Sequence, residues 1–127
     1  MADFNLGRIK FKWRGAWVTG YSYIKEGQYA SAIKFFEALV FLGKNHDYDF
    51  QTLGALHLQT GNNLSALNFL ETAIKLNPSH EPTLLNRAKA LFLLGYKKQA
   101  FAQISQLEKS SDDYIASQAR ALFLAYN

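Results

Sequence analysis

Apolar residues recur along most of this chain at the spacing of a helix face. Phe50, Leu53, Gly54 and His57 fall at spacings of three and four, and so do Ala66, Leu70 and Ala73 and, further on, Leu84, Ala88 and Leu91. Residues three and four apart share one side of a helix, so each set predicts a helix with one buried face. The pattern predicts helices over about 13–26, 29–42, 47–60, 63–76, 81–94 and 97–109. Ser111, Asp112 and Asp113 supply N-cap and first-turn signals for a seventh, ending near Tyr126. The segment Arg8 to Arg14 differs, alternating basic and apolar residues with period two. It reads as a basic arm whose aromatic residues fold onto the first helices; adding as a strand to a partner, or touching an anionic surface, are the alternatives.

The predicted helices are not independent. Gly27, Gly61 and Gly95 stand 34 residues apart, and Ala32, Ala66 and Ala100 keep the same period. The two types combine in GQYASA, GNNLSA and GYKKQA, which places each glycine between two helices and each alanine about one turn into the second. A small side chain there lets helices approach closely. The unit is therefore a helical hairpin used three times. Gly54 lies inside a predicted helix, where glycine costs roughly 1 kcal/mol relative to alanine. Close packing of a partner helix against its bare backbone offsets that cost.

A helix-turn-helix period of this length resembles the tetratricopeptide repeat, whose pattern runs W-x-x-L-G-x-x-Y, then A-x-x-x-F, then P. The second unit carries Phe50, Leu53, Gly54 and His57, then Ala66, Leu70, Ala73 and Pro78. The first carries Ala16, Thr19, Gly20 and Tyr23, then Ala32 and Phe36, with Lys44 where the family has proline. The third is the most diverged, with Leu84, Arg87, Ala88 and Leu91, then Ala100 and Ile104. The resemblance implies an all-α fold, three tetratricopeptide repeats in a right-handed superhelix plus a C-terminal capping helix. Residues 1–12 form a short basic arm and 13–127 a single domain, with repeats at about 13–46, 47–80 and 81–112 and the cap at about 113–126. Ile115, Ala119, Leu122 and Phe123 suit that last helix to covering the exposed end of the stack.

Composition narrows the chemistry. Cysteine is absent, which excludes disulfides and thiol catalysis. No apolar run reaches the roughly 20 residues that span a bilayer, and the start lacks a secretory h-region. The expectation is a cytoplasmic protein with no membrane insertion. The net charge is +4, but five of fourteen basic residues (Arg8, Lys10, Lys12, Arg14 and Lys25) lie in the first 25 positions. That is a solvated arm rather than a nucleic-acid surface. His46, His57 and His80 are isolated, with no metal, phosphate or nucleophile motif beside them. No enzyme, metal or cofactor is expected. His57 holds the repeat position of a tyrosine and should be packed, and His46 and His80 fall in turns.

In the tetratricopeptide family the first helices of the units line a concave face where partners bind. By repeat position this groove comprises Trp17, Tyr21, Ile24 and Lys25, then Tyr48, Gln51, Thr52, Ala55 and Leu58, then Leu85, Asn86, Lys89 and Phe92. Members that grip acidic chaperone tails carry a basic and asparagine clamp. Here Trp17, Tyr21 and Thr52 hold clamp positions, with Asn86 and Lys89 nearby. A mostly apolar groove implies an extended protein or peptide client with apolar anchors. Size and motifs, notably AWVTGYSYIKEGQYASAIKFFEAL and LGALHLQTGNNLSAL, resemble the class II chaperones of bacterial type III secretion. That resemblance implies a non-enzymatic chaperone whose client is a secreted translocator, or a needle subunit in a related chaperone. Those chaperones use a longer N-terminal helical region to dimerise, so monomer and homodimer both stay open. A scaffold or adaptor joining two proteins is the alternative function.

Overall fold

The computed structural model describes residues 17–43 and 46–127. Among these, α1 covers 17–25, followed by α2 (Tyr29–Leu42), α3 (Asp47–Gln59), α4 (Asn63–Leu76), α5 (Glu81–Leu94), α6 (Lys97–Leu107) and α7 (Asp113–Tyr126). No strand occurs among the described residues. The basic segment Arg8 to Arg14 and Lys44 lie outside them. The sixth helix stops at Leu107, short of the expected 109. There Lys109 N–H donates to Gln106 O and Ser110 N–H to Leu107 O, three-residue bonds that tighten the chain out of the helix.

Three hairpins share one turn. Gly27, Gly61 and Gly95 have φ of 76°, 85° and 89°, the left-handed region that a Cβ disfavours. The N–H of the next residue reaches back to the helix, from Gln28 to Tyr23 O (2.8 Å), Asn62 to His57 O (2.8 Å) and Tyr96 to Leu91 O (2.9 Å). This six-to-one bond, with the glycine N–H bonding the carbonyl three residues back, is a Schellman ending. The second helix then starts at the same angle in every unit. Ala32, Ala66 and Ala100 all reach 0 % exposure, as a close helix contact requires.

Each helix from α2 to α7 packs on the next; α3 also touches α5, and α5 touches α7. The first helices of successive units therefore form one layer and the second helices another. Ala32, Phe36, Leu39, Leu53 and Leu56 make one core, with Trp17, Tyr21 and Ile24 of α1 against it. Leu85, Leu91, Phe92, Ala100, Ile104, Leu107, Ile115 and Ala119 make a second. The last helix starts on Asp112, whose Oδ1 accepts from Tyr114 N–H (2.9 Å) and Ile115 N–H (3.3 Å). Its Ile115 and Ala119 are buried, with Leu122, Phe123 and Tyr126 packed alongside, so it covers the end of the stack.

His57 is buried and lies flat on Phe69, with ring centroids 5.4 Å apart and planes 10° from parallel. Its Nδ1 meets Asn62 Nδ2 at 3.4 Å, whereas Nε2 has no hydrogen-bond partner among the described residues and the Glu37 carboxylate stands 3.9 Å off. His46 and His80 sit at the starts of α3 and α5. Among the described residues no group of three His, Asp or Glu side chains gathers as a metal site would require.

Candidate functional site

The first-helix layer holds a concavity of about 380 Å³. Its walls come from α1 (Tyr21, Ile24), α3 (Gln51, Thr52, Ala55, Leu56, Gln59) and the start of α5 (Pro82, Thr83, Asn86), with Tyr29 of α2 and His80, just before α5, completing the lining. Thus Tyr21, Ile24, Gln51, Thr52, Ala55 and Asn86, expected from repeat position, come together on one surface. Among the described residues no Lys, Arg, Asp or Glu lines it.

The polar groups of the wall are tied to one another. Thr52 Oγ1 donates to Tyr48 O at 2.9 Å and meets Tyr21 Oη at 3.3 Å. Burial pushes the Tyr21 phenol up from its ordinary range, the Thr52 bond opposing it, so the hydroxyl is neutral at physiological pH. Gln51 Nε2 donates to Asp47 Oδ2 at 3.0 Å, and Asn77 Nδ2 donates to the same oxygen at 3.0 Å. His80 Nδ1 lies 2.7 Å from Thr83 Oγ1. The result is a preformed concavity, apolar at Ile24, Ala55 and Leu56 and edged by hydroxyls, amides and the His80 imidazole.

The model of the family described as anaphase-promoting complex, cyclosome, subunit 3, which is of the tetratricopeptide type, matches residues 25–107. The chain belongs to this tetratricopeptide family. It is 30% identical over 105 residues to the human Superkiller complex protein 3, spanning 82% of this chain but only 7% of the length of that relative. Among solved structures, PcrH of Pseudomonas aeruginosa in complex with the chaperone binding region of PopD is similar, with a TM-score of 0.82 at 19% identity and 92% of each chain covered. The second TPR domain of the human RPAP3 protein in complex with HSP70 peptide SGPTIEEVD has a TM-score of 0.74 at 17% identity, covering 84% of this chain and 90% of that one. These likenesses show the fold: an all-α tetratricopeptide superhelix with a terminal helix. No described helix is long and apolar enough to cross a membrane.

The other expected groove residues of this tetratricopeptide stack stand elsewhere. Leu85 and Phe92 are 5 % and 4 % exposed and belong to the core, which corrects their expected place on the groove. The reason is the seventh helix: it packs on α5, and Tyr126 stacks on Phe92 with centroids 4.3 Å apart. Lys25 is exposed and Leu58 and Lys89 are half-buried, all three away from the pocket wall. Trp17 is half-buried and gives its indole N–H to Asp49 Oδ1 at 2.8 Å, with Tyr48 and His46 edge-on at 6.0 and 6.1 Å. It joins α1 to α3 beside the pocket. Repeat position did not point to Tyr29 or His80; His80 does lie one full period after His46, a signal that the residue before each first helix recurs.

Asp49 is 2 % exposed, and burial raises its pKa above the ordinary carboxylate value, as Asp47 also does; the Trp17 bond and His46 oppose the rise. A folded-state pKa above the unfolded one means that the folded state binds the proton more readily. The associated stability is full below the unfolded value and is lost as pH rises through the folded one. Asp49→Asn keeps an acceptor for Trp17 and removes the buried charge. The variant is expected to be at least as stable as the parent at neutral pH, with the difference shrinking as pH falls into the carboxylate range. Urea unfolding of both proteins across that range checks it. A parent that gains on the variant as pH rises contradicts it.

Proposed function

We propose that the protein is a non-enzymatic tetratricopeptide chaperone that holds an apolar segment of a client in the concavity, acting in the cytoplasm on a protein bound for type III secretion. The observation that carries the reading is the pocket of about 380 Å³ at Tyr21, Ile24 and Ala55, open on the first-helix layer and without Lys, Arg, Asp or Glu among its described lining residues. Such a volume suits one or two large apolar side chains, and aromatic walls give contact area at low entropy cost. The structural neighbours are tetratricopeptide domains that bind peptides. The mutual 92% coverage with PcrH supports a client of the translocator kind, with a needle subunit the next choice.

Ala55 offers a clean test because it is exposed in the pocket, so its replacement leaves the core intact. Ala55→Glu puts an unpaired charge where a client would seat apolar atoms, at a cost of about tenfold or more in affinity. Pull-down from the native cell with mass spectrometry should return a secreted, aggregation-prone client with the parent chain and lose it with the variant, while circular dichroism stays unchanged. Equal capture by both proteins would remove the groove from the mechanism. A second reading, an adaptor joining two folded proteins, draws on apolar side chains exposed outside the pocket: Phe41 at 87 %, Tyr114 at 67 % and Leu124 at 63 %. Capture of a stable, soluble complex that survives Ala55→Glu is its signature.

A further inference from the structure

We propose that Gln51, oriented by Asp47, is a specificity-determining residue of the groove: it accepts a main-chain N–H from an extended, uncharged peptide segment, on a wall that offers hydrogen-bond acceptors. The inference rests on the peptide-holding reading above and names the ligand chemistry of that same site.

A carboxylate can only accept hydrogen bonds, and Asp47 Oδ2 takes one from Gln51 Nε2 and one from Asn77 Nδ2, each at 3.0 Å. The opposite setting of the Gln51 amide would bring its carbonyl oxygen against a carboxylate oxygen. Asp47 thereby holds the amide in one orientation, and Oε1, which has no hydrogen bond among the described residues, is the atom left for a ligand. The neighbouring hydroxyls lean the same way. Thr52 spends its one proton on Tyr48 O, so in the contact between Thr52 and Tyr21 the phenol must be the donor. Both protons are then used inside the protein, and both oxygens present only lone pairs.

A wall that presents these acceptors, with no Lys, Arg, Asp or Glu among its described lining residues, selects among peptides. A carboxylate brings only further lone pairs to these acceptors and finds no Lys or Arg among the described lining residues to neutralise it. A main-chain N–H in an extended segment finds the acceptor it loses on leaving water. An apolar side chain beside it enters the space near Ile24 and Ala55. Binding should therefore depend little on salt, unlike the capture of an acidic tail. Asp47 acts through Gln51 and is a positioning residue.

The probe is a capped decapeptide selected from a random display library against the full chain, then remade with each amide in turn replaced by an ester. An ester keeps the extended shape and removes one N–H. In the parent protein one ester position should lose roughly three- to tenfold in affinity, the worth of a single hydrogen bond. In Gln51→Ala that penalty should vanish, and in Asp47→Ala, where the amide is free to turn, it should shrink. Gln51→Met, which keeps length without the carbonyl, repeats the measurement if Gln51→Ala loses helicity. Esters tolerated at every position, or a penalty that persists without the Gln51 carbonyl, overturn the inference and leave the peptide-holding reading standing. Selected peptides that ignore Ala55→Glu overturn both, because their site is then elsewhere. Selection of acidic C-terminal sequences with steep salt dependence overturns the acceptor wall.

Discussion

Phe36→Ala should destabilise the protein by about 3–5 kcal/mol, the range for deleting a buried aromatic ring that its surroundings cannot replace. Phe36 is 0 % exposed and meets Tyr21 edge-on, with centroids 5.4 Å apart and planes at 62°. The ring also lies so close to the α1 backbone that a Cβ at Gly20 would come 2.7 Å from Cε2 and 2.8 Å from Cζ. The ring thus fills the contact between α1 and α2 and supports Tyr21 from beneath. Its loss leaves a cavity directly under the groove wall. Urea unfolding should show a lower midpoint at an unchanged m-value, and amide exchange should quicken in α1 more than in α5 and α6. A cost below about 1 kcal/mol would show that the site collapses onto the gap and that the ring does not hold the hairpin together.

Gly54→Ala sets two known effects against each other. Helix propensity alone favours alanine by about 1 kcal/mol. Overpacking a filled core costs about 1–3 kcal/mol. The contact decides which wins: a Cβ at Gly54 would lie 2.5 Å from Leu70 Cδ2 and 2.6 Å from Leu70 Cγ, with the Ala66 carbonyl oxygen at 3.5 Å. Leu70 is 0 % exposed, so it has no open space to retreat into. The crowding should exceed the propensity gain, for a net loss of up to about 2 kcal/mol by thermal or urea unfolding. Leu70→Ala on its own should cost about 2–5 kcal/mol through the cavity it opens. The added methyl at position 54 occupies part of that cavity, so Gly54→Ala should stabilise the Leu70→Ala background. Additive losses in the double mutant would mean the two residues do not share the space the geometry gives them.

The same residues show why some of this protein is readable without coordinates. Gly54 was suspect from its place inside a helical pattern, and the reason, a leucine of the partner helix against bare backbone, follows from the hairpin being repeated. Gly61 ends its helix with positive φ because a hairpin of this length must reverse there. These are local demands, met within a few residues of chain or within one unit. The capping role of α7 was legible for a related reason: a stack leaves one apolar face uncovered, and Ile115 and Ala119 recur at the spacing that covers it.

The groove was legible only in part. Repeat position identifies which face of a first helix a residue occupies, and Tyr21, Ile24, Gln51, Thr52, Ala55 and Asn86, which share that face, line one concavity. It does not tell which neighbour covers that face. Phe92 sits on the concave side by position, yet Tyr126 lies on it. Trp17 has a buried acceptor in Asp49, 32 residues on, a pairing to which no spacing rule points.

What the amino-acid sequence determined by itself was the period, the helices, the turns and the all-α stack, because each depends on φ, on helical spacing or on a contact repeated in every unit. The tertiary structure alone decided which aromatic side chains are walls and which are core, and which amide and hydroxyl groups remain free on the surface. The physical reason is that exposure and hydrogen-bond satisfaction belong to a side chain's neighbours in space, and for Trp17 and Phe92 those include Asp49 and Tyr126, on other helices and about 30 positions or more away along the chain.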